Sequence, residues 1–146
     1  MRWPILVSLL LTIGVGDFLP AAVKLPSVIG SRMVLQRDQS VPIWGWDDPG
    51  TEVTVSLAGQ KVSATAAADG KWLVRLSALQ AGGPHQMVIQ GTNRVTVEDI
   101  LVGEVWLCSG QSNMEWTVSR SLNPQQEIAS GNHPRIRHIK IPHRPA

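Results

Sequence analysis

The fold is decided by one alternating stretch, Val53-Thr-Val-Ser-Leu-Ala-Gly-Gln-Lys-Val-Ser-Ala-Thr65. From Val53 to Leu57, apolar residues alternate with hydroxyl-bearing ones, and this period of two predicts a strand with one buried face. Ala58-Gly59 is short enough for a hairpin loop, and the alternation resumes at Val62. The stretch therefore predicts two antiparallel strands joined by a tight turn.

The same period of two extends in both directions, from Val23 to about Ile100. Turn-forming sequences divide this region, namely Asp47-Asp48-Pro49-Gly50, Asp69-Gly70, Gly82-Gly83-Pro84 and Gly91-Thr92-Asn93. About seven short strands at this spacing predict an antiparallel β-sandwich, Ig-like or jelly-roll-like, with no helix before Leu101. The single cysteine excludes the disulfide of true immunoglobulin domains. We therefore expect a β-sandwich domain over residues 23–100.

The pattern changes after residue 100. The run from Val102 to Cys108 is nearly all apolar, as in a strand that is covered on both faces of a parallel sheet. Helical segments are predicted over Met114 to Ser121 and over Pro124 to Ser130, where proline starts the helix and a glycine follows it. Ile136 to Ile141 predicts a second strand. This β-α-β order begins a doubly wound α/β domain. Such a domain needs roughly 100 to 200 residues, so residues 101–146 are expected to be its incomplete start.

The turn between this predicted strand and helix carries Ser112. A helix N-terminus favours developing negative charge, and a serine placed there is a nucleophile once a base removes its proton. The alternative is structural, because Ser112 and Glu115 have the spacing of a capping box, in which a backbone N–H occupies the hydroxyl. Met114 stands where the α/β-hydrolase nucleophile elbow has glycine. Spacing alone favours the cap, which is the commoner use of serine at a helix start.

The identities of the residues add a more specific signal. The run Glu104-Val-Trp-Leu-Cys-Ser-Gly-Gln-Ser-Asn-Met-Glu-Trp116 closely resembles, without a gap over thirteen positions, the first catalytic block of the sialate O-acetylesterases. These are SGNH-like carbohydrate esterases. Looser similarity covers Met33-Val34-Leu35-Gln36-Arg37, Val41-Pro42-Ile43-Trp44-Gly45 and Ile136-Arg137-His138-Ile139-Lys140-Ile141. The resemblance implies that Ser112 is the nucleophile, that its backbone N–H is an oxyanion-hole donor, and that a small β-domain precedes an SGNH-like esterase domain.

The activity implied by this resemblance is the removal of O-acetyl groups from sialic acid or related sugars, with no metal and no cofactor. In the family, the acid and base come from a late Asp-x-x-His block. No aspartate lies three residues before a histidine in this chain, whose histidines are His85, His133, His138 and His143. The last three, at spacings of five, fit no common zinc pattern. We therefore expect an N-terminal portion of an esterase with little or no activity alone.

Residues 1–22 have the pattern of a signal peptide. Arg2 is followed by an apolar stretch from Ile5 to Val15, which is too short for a membrane span of about 20 residues. Cleavage near Ala21 or Ala22 would export the protein to the periplasm or the extracellular space, with no membrane span in the mature form. The alternative is a buried N-terminal helix or strand.

The formal net charge of +2 is too small to indicate a nucleic-acid partner. Four of the 13 Lys and Arg residues lie near the end of the chain, at Arg135, Arg137, Lys140 and Arg144. A cluster of this size predicts a solvated surface, and the alternative is a contact to phosphate or to an anionic sugar.

Three of the six tryptophans lie in the predicted β-region. Trp72 shares a strand face with Val74 and Leu76 and is predicted to be core. Trp44 and Trp46 are either buried, as most tryptophans are, or form an exposed surface on which a sugar stacks. A second class of function therefore stays open, a secreted β-sandwich that binds a glycan or a protein without catalysis.

Overall fold

The computed structural model describes residues 22–141. The strands are β1 Val34–Gln36, β2 Val41–Trp46, β3 Glu52–Leu57, β4 Gln60–Thr65, β5 Lys71–Leu76, β6 Gly82–Gln90 and β7 Arg94–Gly103. Two short 3-10 helices, Ser112–Glu115 and Val118–Arg120, and one α-helix, α1 Pro124–Ser130, follow them. The predicted signal peptide lies outside the described residues except for Ala22. No helix within residues 22–141 has the length and apolar character to cross a membrane.

Strands β3 and β4 form the hairpin predicted from the alternating stretch. They pair antiparallel, with Val55 opposite Val62. Both loop residues have positive φ angles, 48° at Ala58 and 78° at Gly59. Two positive φ angles give the loop a twist that matches the twist of the paired strands. The hairpin prediction is therefore confirmed.

The strands are arranged in two sheets. The larger sheet has the order β1-β7-β6-β3-β4, and the smaller one contains β2 and β5. The side chain of Gln60 in β4 links them: its Oε1 accepts the N–H of Ser77 at 2.8 Å, and its Nε2 donates to the Ser77 carbonyl at 3.2 Å. Because Ser77 directly follows β5, this contact joins the β4 edge of the larger sheet to the smaller sheet.

Both sheets turn one face toward a shared apolar core. In β2, buried and exposed residues alternate strictly from Val41 to Trp46. Gly45 lies on the buried side and leaves room for Trp72, since a Cβ atom there would lie 2.8 Å from the Trp72 ring. The fully buried side chains are Ile43, Val53, Val55, Leu57, Leu76, Met87, Ile89 and Ile100. The mainly β fold and the core position of Trp72 are thus confirmed.

The buried carboxylate of Asp47 ties the end of β2 to the turn between β6 and β7. Its side chain accepts hydrogen bonds from the backbone N–H of Asp48 and from both the backbone N–H and the hydroxyl of Thr92. Gly91 lets the chain pass close by, because a Cβ atom at that position would lie 2.0 Å from the Asp47 Oδ2. Burying a charge is costly unless it is hydrogen-bonded, and these three donors meet that need.

One strand pair differs from the prediction of an entirely antiparallel sandwich. Strand β1 runs parallel to β7, with Val34 opposite Leu101 and Gln36 opposite Gly103. Parallel strands need a long connection, and most of the β-region lies between these two. Alternation indicates which face of a strand is buried but not the direction of its partner, so the sequence predicted the strands and missed this pairing.

The predicted β-α-β unit does not form in the described residues. Helix α1 begins at Pro124 and ends before Gly131, as predicted. The predicted helix from Met114 to Ser121 is instead two 3-10 turns, and residues 104–111 and 131–141 contain no strand. A parallel strand needs a neighbour to pair its backbone groups, and residues 104–141 supply none. The apolar pattern here therefore did not predict the local structure.

Candidate functional site

Ser112 is the first residue of the 3-10 helix Ser112–Glu115 and is exposed. The N-cap of this turn is Gln111, which is extended at φ −96° and ψ −160°, and no side chain caps the turn. The turn is closed by backbone hydrogen bonds, from the Met114 N–H to the Gln111 carbonyl at 2.9 Å and from the Trp116 N–H to the Asn113 carbonyl at 3.1 Å. The capping-box interpretation of Ser112 is therefore wrong for this structure, and its hydroxyl is not used by a cap.

The segment around Ser112 presents a large apolar surface. Trp106 is 82% exposed and Leu107 is 92% exposed, although both were predicted to lie in a strand covered on both faces. Other exposed apolar side chains of this part of the chain are Val105, Met114, Trp116, Val118, Leu122, Ile128, Ile136, Ile139 and Ile141. Exposed apolar surface on this scale is characteristic of a surface that packs against other protein.

The start of this segment is held by Gln36 at the end of β1. The Oε1 of Gln36 accepts the backbone N–H of Val105 at 2.8 Å, and its Nε2 donates to the Glu104 carboxylate at 3.0 Å. Next to it, the Arg37 N–H donates to the Gly103 carbonyl at 2.9 Å. These bonds extend the parallel pairing of β1 and β7 and set the direction in which the chain leaves the sheet toward Ser112.

Ionic contacts strengthen the same junction. The Nε of Arg37 lies 2.5 Å from the Asp38 carboxylate and 3.8 Å from that of Glu104. The hydrogen bond and charge of Asp38 raise the pKa of Arg37, and the charge of Glu104 raises it further by less. These side chains are largely exposed, so solvent screens the pairs and their contribution to stability is small.

A second attachment joins the end of the described chain to a bulge in β7. The bulge lies where the register shifts between His85 and Met87 of β6, and Asp99 adopts a φ of 56° there. Arg137 donates one hydrogen bond to the Asp99 carbonyl and another, at 2.8 Å, to its carboxylate. The side chain of Arg137 is only 18% exposed. The prediction of a solvated basic cluster is therefore wrong for Arg137, whereas Arg135 and Lys140 are exposed and Arg144 lies outside the described residues.

Comparison with known proteins places these features in a family, although no protein-family model matches the chain. The chain is 42% identical to mouse sialate O-acetylesterase and 39% identical to the human protein, over 73% of its own length in both cases. It belongs to the sialate O-acetylesterase family. A crystal structure of a carbohydrate acetylesterase from Xanthomonas citri matches with a TM-score of 0.75 at 41% identity, over 78% of this chain and 26% of that one. The family predicted from residues 104–116 is confirmed.

The chain matches the N-terminal portion of sialate O-acetylesterases and spans 22% and 23% of the lengths of the mouse and human proteins. The histidines do not assemble around Ser112 in the described structure. His85 lies in β6 opposite Ile100, and His133 and His138 are exposed beyond α1. Within residues 22–141, no hydrogen bond joins Ser112 to a histidine, and His143 lies outside this range.

Two residues that hold the segment after β7, one at each attachment, were not predicted from the sequence. Gln36 lies inside the upstream stretch that resembles sialate O-acetylesterases, so a signal was present, but nothing in that stretch indicated a contact with Glu104. Arg137 also lies inside a stretch of looser similarity to the family, but the sequence indicates only its charge and not its partner. Its partner Asp99 is recognisable only in three dimensions, because the bulge that presents its carbonyl and carboxylate together depends on the pairing of β6 with β7.

Proposed function

We propose that this chain is the N-terminal part of an exported carbohydrate esterase that removes O-acetyl groups from sialic acid or related sugars. The observation that carries the proposal is the 42% identity to mouse sialate O-acetylesterase. The substrate class follows from the names of the relatives, sialate for the mammalian proteins and carbohydrate for the Xanthomonas enzyme. The uncapped hydroxyl of Ser112 supports the same conclusion.

Ser112 is the proposed nucleophile. Its Oγ attacks the acetyl carbonyl carbon while a base takes the hydroxyl proton, and the backbone N–H of Ser112 stabilises the oxyanion that forms. The tetrahedral intermediate then expels the sugar oxygen, which leaves with a proton, and an acetyl-enzyme remains. Attack by water releases acetate and regenerates the serine. A serine hydroxyl that caps a helix is not free to attack a carbonyl carbon. Because no side chain caps the turn at Ser112, its hydroxyl is compatible with the role of nucleophile.

The base is the part of this mechanism that residues 22–141 do not supply. An unactivated serine is a poor nucleophile, and removing the base or the nucleophile from a hydrolase leaves only the small catalysis due to binding and oxyanion stabilisation. We therefore propose that the 146-residue chain alone has little or no esterase activity and that the active protein contains further residues. The exposed apolar side chains between Val105 and Ile141 support this proposal, because they offer a surface for such residues to cover.

A chimera tests the proposal. Residues 22–141 of this chain would replace the matching portion of the Xanthomonas acetylesterase, and release of acetate from O-acetylated sialic acid would be measured. We expect turnover by the chimera and a loss of at least about 1,000-fold when Ser112 is replaced by alanine. Ser130→Ala is the matched control, because Ser130 is an exposed serine of α1 whose hydroxyl donates to the Glu127 carbonyl.

Two results would count against the proposal. A folded chimera whose Ser112→Ala variant keeps full activity would remove Ser112 from the mechanism. Robust turnover by the 146-residue chain alone, abolished by Ser112→Ala, would show that the base is already present in it.

Export is tested separately. N-terminal sequencing of the protein recovered outside the cytoplasm should find a first residue near Ala22 or Val23.

A further inference from the structure

The outer face of the small sheet carries aromatic side chains that the core does not use. Trp44 and Trp46 in β2 are 36% and 37% exposed, and Leu73, directly opposite Trp44 in β5, is 49% exposed. Alternate residues of one strand share a face and lie about 7 Å apart. We call Trp44, Trp46 and Leu73, together with the exposed Pro42, the outer aromatic face.

The outer aromatic face is too small for a stable protein partner. A tryptophan side chain has up to about 250 Å² of surface, so a third of each ring exposes about 80 Å². Even with Leu73 and Pro42 added, the total is well below the roughly 800 Å² per partner that a stable interface buries. A ligand of one or two sugar rings is a better match in size.

The charges around the outer aromatic face select the kind of ligand. Arg75 lies opposite Pro42 at one end of the face, and Lys71 lies opposite Trp46 at the other. Lys71 is paired with the Asp69 carboxylate at 2.9 Å. Arg75 is exposed and forms no salt bridge with any residue between 22 and 141. A planar guanidinium that is not neutralised is suited to a carboxylate.

We propose that the outer aromatic face is a binding site for an acidic glycan, separate from the Ser112 segment. The apolar C–H face of a sugar ring packs on the indole rings of Trp44 and Trp46 and loses water there. The carboxylate of the sugar pairs with Arg75. The ligand class rests on the proposed function, since the same acidic sugar would carry the acetyl ester. The position of the site rests only on the exposure and register of β2 and β5.

The test uses the 146-residue chain and sialyllactose without acetyl groups, so that binding is measured where no ester can be cleaved. Nuclear magnetic resonance titration follows the six indole N–H signals. We expect the signals of Trp44 and Trp46 to shift with a dissociation constant on the order of 1 mM, and lactose to bind at least about tenfold more weakly. Trp44→Thr and Trp46→Thr, which keep a good strand residue, should each weaken binding about tenfold.

Controls separate this site from the esterase and from nonspecific adhesion. Ser112→Ala should leave sialyllactose binding unchanged, so a failed esterase proposal would not affect the result. Leu122→Ala removes an apolar side chain that is 86% exposed outside the face and should also have no effect. Arg75→Gln should abolish the preference for sialyllactose over lactose. The proposal is overturned if no indole signal shifts at a sialyllactose concentration tenfold above the expected dissociation constant, or if both threonine variants bind normally. It is also overturned if the signals of Trp44 and Trp46 shift with protein concentration instead, which would indicate self-association.

Discussion

The side-chain amide of Gln36 continues the pairing of β1 with β7 beyond the last backbone pair, because its Oε1 accepts the N–H of Val105 at 2.8 Å. Gln60 does the same on the other side of the molecule, where its amide bonds the N–H and carbonyl of Ser77. Gln60 supplies both the donor and the acceptor that a neighbouring strand would offer, whereas Gln36 supplies the acceptor and donates to the Glu104 carboxylate. At Gln36, the consequence is a fixed starting point for the segment that carries Ser112.

Replacing Gln36 by alanine should release this starting point. A hydrogen bond of this kind contributes about 0.5 to 1.5 kcal/mol, so the exchange of the Val105 amide hydrogen with solvent should accelerate by up to about tenfold. Hydrogen exchange followed by nuclear magnetic resonance measures it. Gln60→Ala is the matched control, because it removes an equivalent amide and should leave Val105 unaffected. An unchanged Val105 exchange rate in Gln36→Ala would mean that the amide does not hold the segment.

Replacing Asp47 by alanine should destabilise the β-region by about 2 to 4 kcal/mol. The substitution removes a buried carboxylate that accepts hydrogen bonds from the Asp48 N–H and from the N–H and hydroxyl of Thr92, and breaking such a network is costly. Urea denaturation measures the loss. Glu52→Ala, at an exposed carboxylate in β3, should change the free energy of unfolding by no more than about 0.5 kcal/mol. Equal effects at the two sites would contradict the role given to Asp47.

Gly91→Ala should destabilise the protein through the same carboxylate. The added Cβ would lie 2.0 Å from the Asp47 Oδ2, so the turn or the side chain must move, at a cost of about 2 kcal/mol or more. In the Asp47→Ala background the added methyl group no longer meets the oxygen and only its 2.9 Å approach to the Val23 Cγ2 remains, so the cost of Gly91→Ala should fall without vanishing. Gly30→Ala is the control, because nothing lies within 4 Å of its Cβ position. Additive costs for Gly91→Ala and Asp47→Ala would contradict this contact.

The Asp69 carboxylate should titrate below its ordinary range. A side-chain hydrogen bond from Lys71, followed by one from the Lys71 backbone N–H, lowers the pKa of Asp69, and Asp69 in turn raises the pKa of Lys71. Since the folded pKa of Asp69 is lowered, its stabilising effect is present above the unfolded pKa and is lost as the pH falls through the folded pKa. Carbon-detected titration should show the Asp69 pKa rising in Lys71→Met and staying low in Lys61→Met. An Asp69 pKa that is the same in all three proteins would rule out the pair.

Arg137→Met should loosen the end of the described chain. The substitution removes both hydrogen bonds to Asp99, at a cost of about 1 kcal/mol because Asp99 is partly exposed. Limited proteolysis should then cut between α1 and residue 141 faster, while the β-region stays intact. Arg135→Met, at an exposed neighbour, should leave the cutting rate unchanged. If the two variants are cut at the same rate, Arg137 does not anchor this segment.

The family was predictable from the sequence, because it depended on residue identity. The ungapped run from Glu104 to Trp116 indicated the family and singled out Ser112, whereas spacing alone favoured a capping serine. The structure has Gln111 at the N-cap and no capping side chain. The sequence does not determine which residue takes the N-cap position, so only the structure rules out the cap at Ser112, and its role as a nucleophile stays a prediction.

By itself, the sequence determined the strands of the β-region, the β3–β4 hairpin and helix α1. Apolar alternation, turn residues, and the proline and glycine that bound α1 act over only a few neighbouring residues. Tertiary structure alone decided that β1 runs parallel to β7, that a bulge offers Asp99 to Arg137, and that Gln36 holds Val105. Each of these joins residues that are far apart in the chain, and a local pattern fixes which way a side chain faces but not which distant backbone group it meets. The apolar run after Gly103 shows the same limit, since strand-forming residues make no strand where no neighbouring strand pairs with them.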